Sequence, residues 1–316
     1  MADLSVRIGS LALRNPVMPA SGCFALEYAE ALDLTRLGAL VIKSVSPASR
    51  AGNPTPRVAE TASGMLNSIG IPSKGLDAYR RDVLPAYTRF DTPVVVSVSA
   101  DTAESFGQAC ETLSLPEVAA IEANISCPNL EADGMAFAML PESTYKAVSA
   151  IRRRTSHPVW VKLTPNAGQV ALIAKAAEDA GADAIVMGNT VLGMAIDVRT
   201  RKPKLGNVMG GLSGPAIKPL AVRLVHQCHR AVHIPIIGCG GIETADDAVE
   251  FMLAGASAVQ VGTASFRDPA VMGHIVDGLA AYCDAQAVER IATLTGAVAL
   301  DAQLTDRWLR FAQQSG

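Results

Sequence analysis

Eight short apolar runs recur along this 316-residue chain and alternate with helix-like amphipathic stretches. The runs cover residues 16–19, 39–42, 93–96, 119–123, 158–161, 183–187, 234–237 and 257–261. Nearly continuous apolar strands separated by helices are typical of a parallel sheet whose outer face is covered by those helices. Eight such units predict an α/β fold of the (β/α)8 TIM-barrel type, and we expect residues 1–316 to form a single barrel domain.

A doubly wound sheet is the alternative architecture. Its first strand is ordinarily followed by a glycine-rich dinucleotide-binding turn, and residues 20–23 (Ala-Ser-Gly-Cys) do not match that motif. Residues 46–77 form a long connection rich in Pro, Gly and Asn. Because long loops in compact domains are often functional, we expect an extended lid loop over the active face, with extra strands at the barrel mouth.

Composition argues against several classes of function. With 49% hydrophobic and 18% charged residues, the chain can bury a substantial core. The net charge of −3 and the 4% aromatic content give no basis for nucleic-acid binding. No secretory signal and no span-length apolar stretch is recognisable, so we expect a cytoplasmic protein without membrane contact. The six cysteines form no CxxC pair, so this chain is expected to hold neither a metal nor an iron–sulfur cluster.

Polar residues and glycines gather where the predicted strands end. In barrels of this kind the active site lies at the C-terminal ends of the strands. The residues found there are Ser21, Gly22, Lys43, Ser44, Ser97, Asn124, Cys127, Lys162, Asn189, Thr190, Gly240, Gly241, Gly262 and Thr263. Two lysines, several amides and several glycines on one rim predict a binding site at the barrel mouth.

Residues 124–129, Asn-Ile-Ser-Cys-Pro-Asn, place a thiol between two carboxamides at the end of the fourth strand. Carboxamides can hold a flat polar substrate through both donors and acceptors. A thiol there can take or give a proton. A buried cysteine in a proline-containing turn is the non-functional alternative.

Glycine-rich segments at residues 238–247 and 261–264 follow the seventh and eighth strands. Glycines let backbone N–H groups approach an anion closely, and many barrels bind a phosphate at this place. A phosphate with Lys162 facing it from the fifth strand suggests flavin mononucleotide (FMN), whose reduced ring a lysine can stabilise. A sugar phosphate is the competing ligand.

Several longer motifs resemble the class 1 dihydroorotate dehydrogenases, and the similarity covers nearly the whole chain. The motifs are residues 43–44, 52–57, 64–70, 124–129, 161–163, 188–190 and 210–215, together with the two glycine segments. The resemblance implies a flavin-containing (β/α)8 barrel that oxidises dihydroorotate to orotate in pyrimidine synthesis, with a cysteine as the base.

Residues 133–137 and 195–203 are similar to class 1B. That subclass implies a partner subunit carrying FAD and a 2Fe–2S cluster, which passes electrons to NAD⁺. It also implies a homodimer of this chain within an assembly of two catalytic and two electron-transfer subunits.

The resemblance further implies roles for individual residues. Cys127 removes the C5 proton while hydride leaves C6 for the flavin N5, and Lys43 pairs with the substrate carboxylate near the flavin. The implied substrate-binding residues are Lys43, Asn67, Ser68, Ile69, Gly70, Ile71, Asn124, Asn129, Asn189 and Thr190. The implied cofactor-binding residues are Ser21, Lys43, Ser44, Ser97, Asn124, Lys162, Gly188, Gly214, Gly240, Gly241, Gly262 and Thr263.

Three places depart from the usual pattern of that family. Ser97 stands where an asparagine is usual, and residues 71–74 and 132–133 vary two loops. These departures leave the electron acceptor open, with fumarate as an alternative to NAD⁺. Two other functions also stay open: a dihydropyrimidine dehydrogenase acting on uracil or thymine, and a barrel that binds a sugar phosphate without redox chemistry.

Overall fold

The structure is a computed structural model and describes residues 2–126 and 136–301. Its strands are β1 (Val6–Ile8), β2 (Leu11–Leu13), β3 (Val17–Pro19), β4 (Leu40–Val45), β5 (Ser49–Arg50), β6 (Val58–Thr61), β7 (Gly64–Asn67), β8 (Ser73–Lys74), β9 (Val94–Val98), β10 (Ala120–Asn124), β11 (Val159–Leu163), β12 (Ala184–Met187), β13 (Val191–Met194), β14 (Ile196–Asp197), β15 (Lys202–Pro203), β16 (Met209–Ser213), β17 (Ile236–Cys239) and β18 (Ala256–Val261). Its α-helices are α1 (Leu76–Ala78), α2 (Leu84–Thr88), α3 (Ala103–Thr112), α4 (Pro141–Arg152), α5 (Val170–Asp179), α6 (Lys218–His229), α7 (Ala245–Ala254), α8 (Ala264–Arg267) and α9 (Val271–Ala285).

The described residues also contain short π-helical and 3-10 turns. A π-helical turn, Tyr79–Val83, joins α1 to α2. The 3-10 turns are Leu26–Glu30, Leu34–Arg36, Phe137–Met139, Pro215–Ile217 and Ile291–Leu294. No helix in the ranges 2–126 and 136–301 combines the length and the apolar character needed to cross a membrane.

Eight strands form one parallel sheet in the order β3-β18-β17-β12-β11-β10-β9-β4. The two outer strands of this order approach each other where the Gly38 N–H donates to the Val17 carbonyl over 2.9 Å, so the sheet nearly closes into a barrel. Helices α3 to α7 and α9 follow the strands and pack around them. The predicted (β/α)8 barrel and its eight strands are therefore confirmed.

Burial of the barrel strands explains why their sequences are nearly continuous apolar runs. All five residues of β9, β10 and β11 are buried, because side chains pack both inside the barrel and against the outer helices. Strands β4, β9 and β11 also extend beyond their predicted ends. Lys43, Ser97 and Lys162 therefore lie within the last residues of these strands and do not follow them.

Extra strands cover the barrel mouth, as predicted. Residues 46–77 contain β5 to β8. Strands β6 and β7 join β13 and β16 in a four-stranded antiparallel sheet of order β13-β16-β7-β6, and β5 pairs with β8. The β1–β2 hairpin was not predicted. The prediction of one domain over 1–316 includes residues outside the described ranges and stays a prediction.

Helix α7 begins with a capping box beside the seventh barrel strand. The Thr244 hydroxyl accepts from the Asp247 N–H over 3.2 Å, and the Asp247 carboxylate accepts from the Thr244 N–H over 2.9 Å. Lys218 of α6 donates to the same carboxylate over 2.6 Å and lies 2.7 Å from Glu250. These contacts fix the turn that carries Gly240 and Gly241 into the barrel mouth.

The ionised Asp247 side chain should increase the free energy of unfolding, and its protonation at low pH should remove that contribution. Burial opposes its ionisation, but the hydrogen bonds from Lys218 and from the Glu243 and Thr244 N–H groups outweigh that effect and lower its pKa. A lowered folded-state pKa stabilises the protein above the unfolded value, near 3.9, and this contribution disappears as pH falls through the folded value. We expect Asp247→Asn to lose about 1–3 kcal/mol at pH 7, with the deficit shrinking below about pH 4.

Urea unfolding of the wild type and the variant across pH 2 to 7 measures this deficit. The matched control is Asp246→Asn, which alters the neighbouring, exposed carboxylate of the same helical turn. An equal loss of unfolding free energy in both variants, or a deficit independent of pH, would contradict the assignment.

Candidate active site

The strand ends and the overlying antiparallel sheet enclose a cavity of about 1760 Å³ at the barrel mouth. Pockets for one drug-sized ligand are usually about 300–1,000 Å³, so this cavity has room for a cofactor and a second flat molecule. The predicted site residues that line it are Ser21, Lys43, Ser44, Asn67, Ser68, Ile69, Gly70, Ile71, Asn124, Lys162, Asn189, Thr190, Gly214, Gly240, Gly241, Gly262 and Thr263.

Four predicted site residues are not among those lining residues. Cys127 and Asn129 lie outside the described residues. Ser97 is fully buried beneath the cavity, and its hydroxyl contacts Ser44 and Glu122 directly. Gly188 has a φ of +128°, and a Cβ there would lie 1.8 Å from the Cys239 carbonyl oxygen, so close strand packing explains this glycine. Cofactor contacts by Ser97 and Gly188 stay predictions.

One end of the cavity is suited to an anion. Gly240 and Gly241 have φ values of +131° and +75°, a backbone conformation that favours glycine. Within the described part of the chain, the N–H groups of Gly240, Gly241 and Thr263 donate no hydrogen bond. Successive N–H groups of this kind, without a bulky side chain nearby, form anion-binding concavities. A phosphate group matches this donor set.

A buried lysine lies at another part of the cavity wall. Lys162 of β11 is 3% exposed. Its Nζ donates to Gln260 Oε1 over 3.0 Å and to Ser21 Oγ over 3.5 Å, and it lies 3.9 Å from Glu122 Oε1. A buried ammonium group requires such compensation. Its charge is therefore held in a fixed position at the cavity.

Two carboxamides, at the ends of β10 and β12 on either side of β11, are tied together by Ser126. The Asn189 Nδ2 group donates to Ser126 Oγ, which donates to Asn124 Oδ1 over 2.6 Å. The Asn189 Oδ1 atom in turn accepts from the Thr190 N–H over 2.8 Å. These bonds fix the positions of the donating NH2 group and the accepting oxygen of each amide, as recognition of a flat polar ring requires.

A hydrogen-bond chain continues from Asn124 into the barrel. Asn124 Nδ2 donates to Ser44 Oγ over 3.3 Å, Ser44 Oγ lies 2.8 Å from Ser97 Oγ, and Ser97 donates to Glu122 Oε1 over 2.9 Å. A hydroxyl has a single proton, and Ser97 donates its proton to Glu122, so Ser44 must donate to Ser97. The Glu122 carboxylate therefore orients the whole chain.

The lid loop is held over the cavity by its own backbone and side chains. Asn53 donates through its N–H to the Ile69 carbonyl over 3.0 Å and through Nδ2 to Ser68 Oγ over 2.8 Å. Ile71 has a φ of +46°, unusual for a β-branched residue. Arg50, paired with Ser73 between β5 and β8, forms an ion pair with Asp101. The loop therefore packs as a defined lid.

Sequence reasoning did not single out Asn166, Glu122 and Gln260. Asn166 accepts from the Leu192 N–H over 2.9 Å and donates to the Thr190 carbonyl over 3.1 Å, which positions the Thr190 segment. It follows β11 by three residues, so extending the strand-end reasoning would have found it. Glu122 and Gln260 each interrupt an apolar strand, and that interruption was the available signal.

Two cysteines of the described part of the chain also line the cavity, Cys23 and Cys239. Burial raises the pKa of Cys23 to about 11, with a further increase from Cys239 and a smaller opposing effect from Lys162. Burial likewise raises the pKa of Cys239. Both are thus neutral thiols near pH 7 and poor proton acceptors. Within residues 2–126 and 136–301, no cluster of three or more His, Cys, Asp or Glu side chains could hold a metal ion.

Comparison with known proteins agrees with the geometry. The family model described as dihydroorotate dehydrogenase matches residues 3–282. A relative from Geotalea uraniireducens, named dihydroorotate dehydrogenase B (NAD(+)), catalytic subunit, is 49% identical over 94% of this chain and 98% of its own length. A relative of the same name from Listeria monocytogenes is 48% identical over 93% and 98% of the two chains.

The fold itself recurs in a solved structure. The crystal structure of an Eimeria tenella DHODH in complex with ferulenol superposes with a TM-score of 0.77 over 93% of this chain and 88% of that chain, at 22% sequence identity. This likeness supports the barrel architecture. Because the family model covers most of the sequence and relatives are nearly half identical over almost their whole length, the chain belongs to the dihydroorotate dehydrogenase family.

Proposed function

We propose that this chain is the catalytic subunit of a dihydroorotate dehydrogenase, which oxidises dihydroorotate to orotate in the de novo synthesis of UMP. The observation that carries the proposal is one cavity that combines an anion-binding turn, the buried Lys162 and a set of oriented carboxamides. Relatives nearly half identical to this chain bear the name of that enzyme's catalytic subunit.

FMN is the cofactor that this donor set fits. The N–H groups of Gly240, Gly241 and Thr263 would hold its phosphate, and Lys162 with Ser21 would contact its ring system. FMN, when bound, accepts the hydride that leaves C6 of the substrate. A fixed lysine charge at the cavity favours the added negative charge of the reduced ring.

The chain's own residues would position the substrate and remove its proton. Asn67, Asn124 and Asn189 line the cavity with amide groups that suit a pyrimidine ring, and Lys43 supplies a positive charge for its carboxylate. The Cys127 thiolate takes the C5 proton, and the C5 and C6 carbons become joined by a double bond as the hydride leaves. The lid residues 68–71 exclude water from this reaction.

NAD⁺ is proposed as the final acceptor, reached through a partner subunit that carries FAD and a 2Fe–2S cluster. Two catalytic and two electron-transfer subunits would form the assembly, around a homodimer of this chain. The support is the name of the relatives, which specifies NAD⁺ and a catalytic subunit. We propose the cytoplasm as the enzyme's location.

An anaerobic titration tests the function. The purified chain, reconstituted with FMN where needed, should show flavin absorbance that bleaches on addition of dihydroorotate. NAD⁺ should restore the absorbance only when the partner subunit is present. Flavin that ignores dihydroorotate but is bleached by dihydrouracil would favour a dihydropyrimidine dehydrogenase, and a chain unable to bind FMN would contradict the proposal.

A further inference from the structure

We propose that Glu122 is a positioning residue that holds Lys162 in place, offsets part of its charge and thereby sets the reduction potential of the bound flavin. The inference rests on the proposed function, because it requires FMN in the cavity next to Lys162. Glu122 itself is fully buried and is not among the residues lining the cavity, so it acts through its neighbours.

The contacts of Glu122 make it the centre of the buried polar network. Its Oε2 accepts from Gln260 Nε2 over 2.6 Å, and the other end of that amide, Oε1, accepts from Lys162 Nζ over 3.0 Å. Its Oε1 lies 3.9 Å from Lys162 Nζ and accepts from Ser97 Oγ. Gln260 can present its oxygen to the lysine because the carboxylate accepts from its nitrogen, so the carboxylate fixes the amide's orientation.

Burial makes this pair electrostatically strong. The side chains of Lys162 and Glu122 are 4% and 0% exposed, so water screens their interaction very little. A buried ammonium without its carboxylate would act with its full positive charge on the cavity. With the Glu122 carboxylate 3.9 Å from the Lys162 ammonium, the carboxylate offsets part of the positive charge that a group in the cavity experiences. Lys162 still has the larger effect on such a group, because it lines the cavity and Glu122 does not.

The sign of the effect on the flavin follows directly. Two-electron reduction adds negative charge to the ring, so Lys162 raises the reduction potential and Glu122 lowers it. The Glu122 carboxylate is also connected to the proposed substrate-binding residue Asn124, through the hydrogen bonds of Ser97 and Ser44. One buried carboxylate therefore orients a polar group on each side of the cavity.

Glu122→Gln tests the charge with almost no change of shape. The amide Oε1 can still accept from Gln260 Nε2, and its Nε2 can donate to Ser97 Oγ. Ser97 then donates to Ser44, and Lys162 keeps its bond to Gln260, so each of these neighbours retains a hydrogen-bond partner. We expect the equilibrium constant for reduction of bound FMN to increase at least tenfold, which is about 30 mV for a two-electron couple. The measurement is equilibration of the holoprotein with a reference dye under a chemical reductant, without dihydroorotate.

Glu60→Gln is the matched control. Unlike Glu122, Glu60 lines the cavity and is exposed, so its charge is screened by water and its replacement should shift the equilibrium less than threefold. An unchanged or lowered potential in Glu122→Gln, or equal shifts in the two variants, would overturn the inference. A purely structural role for Glu122 would lower thermal stability without moving the potential.

A second variant covers the case in which Glu122→Gln does not fold. Glu122→Asp keeps the negative charge but moves it farther from Lys162, because the side chain is one methylene shorter. We expect the reduction potential of bound FMN to rise, by less than in Glu122→Gln. A potential equal to that of the wild type would overturn the inference. Failure of the proposed function is distinguishable, because it appears in the wild type: either no FMN binds, or bound FMN is not reduced by dihydroorotate whatever its potential.

Discussion

Replacing Cys127 with alanine is expected to slow the reduction of bound flavin by dihydroorotate by about 10²–10⁴-fold, the usual contribution of a positioned general base. The two thiols that line the cavity in the described part of the chain, Cys23 and Cys239, cannot substitute for it, because burial raises the pKa of both. Stopped-flow absorbance of the anaerobic holoprotein measures the rate, and the flavin content of the variant should equal that of the wild type.

Cys283→Ala is the control for loss of a thiol. Cys283 is buried in helix α9 and does not line the cavity, so flavin reduction should proceed at the wild-type rate. Normal reduction in Cys127→Ala would contradict the assignment of the base. Loss of bound FMN in that variant would instead assign Cys127 a structural part in the cavity.

Gly188→Ala should destabilise the protein strongly. The residue has a φ of +128°, where a side chain is strained by about 1–3 kcal/mol. The new Cβ would also lie 1.8 Å from the Cys239 carbonyl oxygen, which forces the buried strands β12 and β17 apart at a further cost of about 1–3 kcal/mol. We expect a total loss of about 4 kcal/mol, measured by urea unfolding.

Gly22→Ala separates the two contributions. Gly22 also has a positive φ, +83°, but no atom lies within 4 Å of the position of its Cβ. Its substitution should show only the backbone strain. Equal destabilisation of the two variants would mean that the contact with Cys239 relaxes freely, which would contradict rigid packing of β12 against β17.

The sequence by itself predicted the barrel and most of its mouth. Eight apolar runs between helical stretches identify buried parallel strands, because burial of both faces acts on each strand locally. The rule that active sites lie at the C-terminal strand ends then located residues such as Lys43, Asn124 and Asn189, all of which line the cavity. Family motifs extended this to Asn67 and the lid residues of the 68–71 segment.

Only the tertiary structure decided which polar groups meet. Glu122 and Gln260 are 138 positions apart and are brought within hydrogen-bond distance by strand order and register around the barrel. Ser97 lies within β9, which continues beyond its predicted end, and is buried beneath the cavity, while its contact with the flavin stays a prediction. Local periodicity determines that a strand forms and that it is buried, but the contacts across a barrel depend on how distant strands align, and no single segment carries that information.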